Sequence, residues 1–191
     1  NPLKGSKEDI LKYLTTNNIT YQEVNFYDMA YILNTKDLNK IKELNCYKNG
    51  QIYLQSLSSM IPAILLNPKE NESILDMCAS PGGKTTLMGV LSNNKAMITA
   101  CEKNKERLER LKYNIEKQGV KKTLVMQIDS RNLNDNFLFD KILLDTPCSG
   151  SGTLTTSKEF DYELFQKLPS IQTSLIKSLM ICLTDKSFHH H

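Results

Sequence analysis

The chain has 191 residues, 40% of them hydrophobic and 24% charged, and carries a formal net charge of +3. That length suits one domain of ordinary size plus a small appendage, with a real core, and no apolar run approaches the length of a membrane span. The mild basicity is compatible with nucleic acid without arguing for it, and the polar opening "NPLKGSKEDI" shows no secretory pattern.

Taken in chain order, Ser6 with Asp9 makes a capping pattern for a helix over residues 7 to 16, with Ile10, Leu11 and Leu14 on one face. "ITYQEVNFY" alternates as a strand does, "TKDLNKIKEL" reads as a second short amphipathic helix, and "NCYKNGQIYLQ" holds an Asn-Gly turn before a β-rich run. Residues 1–50 are thus expected to form a small α/β appendage, with a packing role the plainer assignment.

From "SLSSMIPAILL" the rhythm becomes regular: a helix, a strand from Ile74 to Cys78, a Gly-rich loop and a helix over 84–92. The strand "AMITAC" ends at Glu102, and a charged helix over 104–118 stops at Gly119 as a C-cap would. "TLVMQI" and "KILL" follow, with Asp129 and Asp145 beyond them, then a last helix, "LFQKLPSIQTSLIKSLMICL". Alternating strands and helices predict a doubly wound, mostly parallel sheet, and four acids at strand ends mark the side where ligands bind. One more strand would be expected after the last helix, so the core over 51–188 reads as C-terminally incomplete.

Cysteine and histidine narrow the chemistry. Five scattered cysteines without a C-x-x-C favour a reducing, intracellular setting. The only histidines, His189 to His191, read as the stub of a purification tag. A Ser-His-Asp or Cys-His catalyst and a His-ligated zinc are excluded from this stretch, and no metal is expected.

The segment "ILDMCASPGGKTT" raises the choice between a triphosphate and another adenosine cofactor. A P-loop needs G-x-x-x-x-G-K-[ST], but Cys78 stands where its first glycine belongs and Pro81 removes a backbone donor from the cradle. The dinucleotide pattern G-x-G-x-x-G is absent as well, yet Glu102 stands where an acid accepts ribose hydroxyls. An adenosine cofactor with a ribose and no phosphate, such as S-adenosylmethionine, suits this best. A nucleotide triphosphatase is the remote alternative.

"CASPGGKTT" followed by "DTPCSGSGTL" resembles the NOL1/NOP2/Sun family of RNA cytosine-5 methyltransferases, and "NGQIYLQSLSSMIPAILLNPKENESILDMCASPGGKT" looks like that family's entry into its methyltransferase domain. The resemblance spans residues 48 to 154. It implies a class I S-adenosylmethionine-dependent, Rossmann-like fold and formation of 5-methylcytosine in rRNA or tRNA. By the same resemblance Cys78, Ala79, Ser80, Pro81, Gly82, Gly83 and Lys84 form the donor loop, Glu102 holds the ribose, and Asp129 lies beside adenine. Asp145 and Cys148 match the Asp and Cys of D-x-P-C-S-G. A thiolate adding to cytosine carbon 6 makes carbon 5 nucleophilic, and Asp145 is expected to hydrogen-bond the ring edge.

In that family the usual nucleophile sits in a later Thr-Cys-Ser motif, which this chain lacks, and Cys148 is the second cysteine that assists release. Cys182, inside the last helix, reads as a core residue. A donor-binding but inactive RNA-binding or ribosome-assembly module is therefore the alternative function. Compartment, oligomeric state and target RNA are not specified by the sequence. The charged helix, with Glu106, Glu109 and Glu116 among its Lys and Arg, reads as a solvated face. Tyr53 and Phe26 read as packing residues.

Overall fold

The computed structural model describes residues 1–134, 136–146 and 162–184. Two sheets organise it. The smaller pairs β1 (Tyr21–Glu23) with β2 (Tyr31–Leu33) antiparallel, Tyr21 opposite Leu33. The larger holds β3 (Ser73–Asp76), β4 (Met97–Cys101), β5 (Thr123–Met126) and β6 (Lys141–Leu143), all parallel, in the order β5-β4-β3-β6.

The small sheet rests on α1 (Lys7–Thr16), α2 (Leu38–Glu43) and α3 (Asn45–Lys48). Ser6 starts α1 as its spacing predicts: its hydroxyl accepts the Asp9 N–H at 3.1 Å and donates to the Asp9 carboxylate at 2.7 Å. Ile10 and Leu14, one turn apart, meet Ile19, Ile41 and Cys46 in a local core. Three expectations shift here. The strand expected over "ITYQEVNFY" pairs for only three residues, β2 was not anticipated, and the β-rich run at 51–55 is extended but joins no ladder. Alternation specifies an extended chain; it does not supply a neighbour to pair with.

In the large sheet the period-2 alternation sorts side chains between two layers. Ile74, Ile98 and Ala100 pack under α4 (Leu57–Leu66), α5 (Gly83–Leu91) and α6 (Lys105–Gln118), while Leu75 and Cys101 face α7 (Tyr162–Thr184) through residues such as Leu175. This is the doubly wound parallel architecture expected. Gly119 ends α6 at φ +72°, with its N–H on the Glu116 carbonyl and the Val120 N–H on Ile115. Among the described residues no helix is long and apolar enough to cross a membrane.

The chain runs β3, β4, β5 outward, then returns to place β6 on the other side of β3. The strand order therefore reverses between β3 and β6, which is where open parallel sheets leave a crevice above their carboxyl ends. Asp76 closes β3, Glu102 follows β4, Asp129 lies three residues past β5, and Asp145 lies two past β6.

Candidate functional site

Leaving β3, the chain stays tied to the sheet: the Met77 N–H donates to the Leu143 carbonyl and the Ala79 N–H to the Cys101 carbonyl, each at 3.0 Å. The loop therefore lies across the ends of β6, β3 and β4. A cis Ser80–Pro81 bond and Gly82, at φ +107°, turn it into α5. Helix α6 grips it from outside. The Ser80 hydroxyl donates to the Arg107 carbonyl (2.9 Å), Arg107 Nη2 donates to the Ser80 carbonyl (3.2 Å), and Asn114 Nδ2 donates to the Pro81 carbonyl (2.8 Å). With Gly82 as N-cap, no side chain among the described residues satisfies the first N–H groups of α5, an arrangement that suits an anionic group.

Beside this loop is a cleft of about 260 Å³. Of the residues expected to bind donor, it is lined by Cys78, Ala79, Ser80, Pro81, Gly83, Lys84 and Asp145, joined by Asp76 below and by Tyr53 and Gln55 from the extended run before α4. A Cβ on Gly83 would come within 2.9 Å of Gln55 Oε1, so a backbone without side chain keeps the cleft open. Lys84 Nζ pairs with Asp145 at 2.7 Å across it. Gly82 shapes the turn, while Glu102 and Asp129 stand along the neighbouring strand ends, outside this lining.

Asp76 is 1% exposed and accepts the Thr85 hydroxyl at 2.7 Å. Burial raises its pKa from 3.8 to about 6, against the lowering effects of that hydrogen bond and of Lys84. Between those two values the folded state holds a proton that the unfolded state has released. The group's stabilising contribution is thus whole below about pH 4 and is gone above about pH 6, a change of about 3 kcal/mol. Asp76→Asn, which cannot ionise, is expected to flatten this part of the stability profile in urea unfolding at pH 4, 5.5 and 7.5. An unchanged slope in the variant would assign the pH dependence elsewhere.

Glu102 is 7% exposed; one carboxylate oxygen accepts the Asn104 N–H at 2.8 Å and the other faces Arg107 Nε at 3.3 Å. A carboxylate offers about four lone-pair sites, so acceptor capacity remains on both oxygens. Asp129 differs. Arg131 grips both its oxygens through Nε and Nη2, the Arg131 N–H adds a third bond, and Lys103 lies at 3.7 Å. The Arg131 hydrogen bonds lead in holding its pKa down to about 2.

The thiols of Cys78 and Cys101 are pushed up to about 11 and about 12, first by burial and then by the surrounding acids. Neither supplies a thiolate near neutral pH. Cys148 and the side chain of Cys182 lie outside the described residues.

A sequence profile of the 16S rRNA methyltransferase RsmB/F family matches residues 63–187, well over half of the chain. The chain belongs to this family. The tRNA (cytosine(72)-C(5))-methyltransferase of Pyrococcus horikoshii is 45% identical to it over 116 residues, which are 60% of this chain and 30% of that protein. The human 28S rRNA (cytosine(4447)-C(5))-methyltransferase is 34% identical over 156 residues, 81% of this chain and 19% of that one. A solved methyltransferase homologue from Pyrococcus horikoshii, 30% identical, superposes with a TM-score of 0.79 over 94% of this chain and 57% of its own. The chain thus spans less than a third of the length of those two curated relatives. The RsmB/F match agrees with the resemblance carried by the two motifs, and the four-stranded core is of the class I methyltransferase type. The family is S-adenosylmethionine-dependent.

Several residues around this cleft escaped the sequence. Arg107 could have been found, because Asn104 caps α6 and so points the first turn back at Glu102. Tyr53 and Gln55 carry no local signal, since only the tertiary fold brings their segment against the donor loop.

Proposed function

We propose that this chain is the donor-binding and base-positioning core of an S-adenosylmethionine-dependent RNA methyltransferase that forms 5-methylcytosine in rRNA or tRNA through a cysteine–cytosine C6 adduct. The observation that carries this reading is the cleft at the reversal of strand order, where Asp76, Lys84 and Asp145 meet beneath uncapped N–H groups of α5. Two acids to one lysine suit a cationic donor and would repel a triphosphate. The α5 N–H groups suit the carboxylate of a methionine moiety, and the spare lone pairs of Glu102 suit ribose hydroxyls. S-adenosylmethionine supplies, when bound, a methyl group on a sulfonium.

Asp145, held by Lys84, is placed to bond the edge of a cytosine brought over β6. Cys148, three residues later in sequence, is assigned by the family motif alone to adduct release. Asp129 accepts three hydrogen bonds from Arg131, which leaves acceptor capacity on one oxygen for an adenine amino group. Such a protein would act inside the cell, where its RNA is; cytoplasmic and nuclear settings are equally consistent.

Incubation of the intact native protein with rRNA and tRNA and methyl-labelled donor is the test, with label expected on cytosine carbon 5. Donor binding without label in any RNA class would favour the inactive assembly module. Glu102→Gln is expected to weaken donor binding in calorimetry by about 10- to 100-fold, the worth of a charge-assisted hydrogen bond. Unchanged affinity would remove Glu102 from the ribose site.

A further inference from the structure

Helix α6 mixes its charges in sequence and separates them in space. At about 100° per residue, Arg107, Arg110, Asn114 and Lys117 fall within an arc of about 80°, next to the buried Leu111 and Gln118. Glu106, Glu109 and Glu116 fall on the adjoining arc together with Tyr113, Glu106 beginning about 20° beyond Lys117. The inner strip carries no acid and runs along the donor loop, since Arg107 and Asn114 hold Ser80 and Pro81.

Three cations there have no acidic partner among the described residues. Arg110 is exposed and unpaired. Lys117 Nζ sits 4.2 Å from the Tyr47 ring centroid and 5.6 Å from that of Tyr113. Lys4 lies across Gly119 at the end of the same helix. The surface is also continuous with the proposed methyl-transfer site. A cleft of about 160 Å³ shares Tyr53 and Pro81 with the donor cleft, and shares Lys117 with an open trough of about 630 Å³ that Lys4, Lys48 and Tyr113 line together with one acid, Glu116.

We propose that this strip is the track for the single-stranded segment of substrate RNA flanking the target cytosine, with Arg110, Lys117 and Lys4 on phosphates and Tyr113 offering a ring face to a base. The inference deepens the function proposed above and rests on it for the identity of the RNA. Cations beside the exposed Tyr113 ring and the half-buried Tyr47 ring match a sugar–phosphate chain with splayed bases. A helix strip about 15 Å long, leading into a cleft, favours RNA over an acidic peptide.

The test is binding of a fluorescent 20-nucleotide single-stranded RNA containing cytidines, by anisotropy between 50 and 300 mM salt, beside calorimetry with S-adenosylmethionine. The Arg110→Glu, Lys117→Glu double variant is expected to bind RNA about 10- to 100-fold more weakly, with the log–log salt slope smaller by about 1.4, two contacts at ~0.7 each. Donor affinity should stay as in the parent, and the Arg110→Lys, Lys117→Arg variant should restore RNA binding. Unchanged RNA affinity and slope in a double variant that still binds donor would overturn the proposal, as would a parent protein that binds no RNA. Polyglutamate held as tightly as RNA would overturn the choice of partner. A parent that binds RNA through the strip yet methylates none would refute the proposed function and leave the strip standing.

Discussion

On the function proposed above, Lys84→Met in the intact native protein is expected to leave donor binding in place but to slow methyl transfer to RNA at least about a hundredfold, the scale of losing one preorganised charge at a reacting centre. Lys84 lies in the first turn of α5, its side chain 19% exposed, and meets Asp145 at 2.7 Å. Its charge also lowers the pKa of Asp76, which Asp145 raises. Without it, two carboxylates face each other across the cleft with nothing between them. Asp145, whose side chain is 49% exposed, would turn toward water and away from an incoming base. The donor, being cationic, loses little when a cation leaves, so its affinity should change less than about tenfold. Single-turnover transfer at saturating RNA and donor, beside donor calorimetry, reads the two effects apart. Equal losses in both would place Lys84 in donor binding rather than in orienting Asp145.

The core and its ligand side were legible because both follow from short-range rules. Period-2 runs specify buried strands, Gly119 ends α6 where a left-handed residue is needed, and acids cluster at strand ends because the crevice lies there. Pro81 and Cys78, read as arguments against a triphosphate cradle, sit in a loop whose carbonyls are bonded outward to α6. The appendage was less legible. β2 is three residues long, and the run at 51–55 became a wall of the donor cleft instead of a strand, because what lies beside an extended segment is decided by distant chain.

Charge was the least legible property at the site. Asp129 reads in sequence as a free acid beyond β5, yet Arg131, two residues on, occupies both its oxygens, a local chelate that strand-end counting does not reveal. Likewise the acids of α6 hide its cationic strip until the chain is wound at 3.6 residues per turn. Linear charge counts average over faces that a ligand meets one at a time.

Gly50→Ala is expected to be among the most destabilising single-methyl changes available, losing about 3 kcal/mol or more. The residue belongs to the Asn-Gly pair, adopts φ +76°, and joins the appendage to α6: its carbonyl accepts Asn1 Nδ2 at 2.9 Å, and the same amide reaches the Gln118 carbonyl. A Cβ there would stand 1.9 Å from the Lys117 carbonyl oxygen and 2.8 Å from its carbon, both backbone atoms that no rotamer change can move. Left-handed strain alone costs about 1–2 kcal/mol, so the remainder measures how firmly the two units are seated. Gly119→Ala supplies the control. Its φ is +72°, but its Cβ would meet only Lys4 Cδ, at 2.9 Å, the end of a flexible side chain. Denaturant unfolding should therefore show Gly119→Ala losing only the strain and Gly50→Ala about 2 kcal/mol more. Equal losses would mean that the appendage rides loosely on α6. Because the same seam sets Tyr47 against Lys117, the Gly50 variant should weaken RNA binding as well.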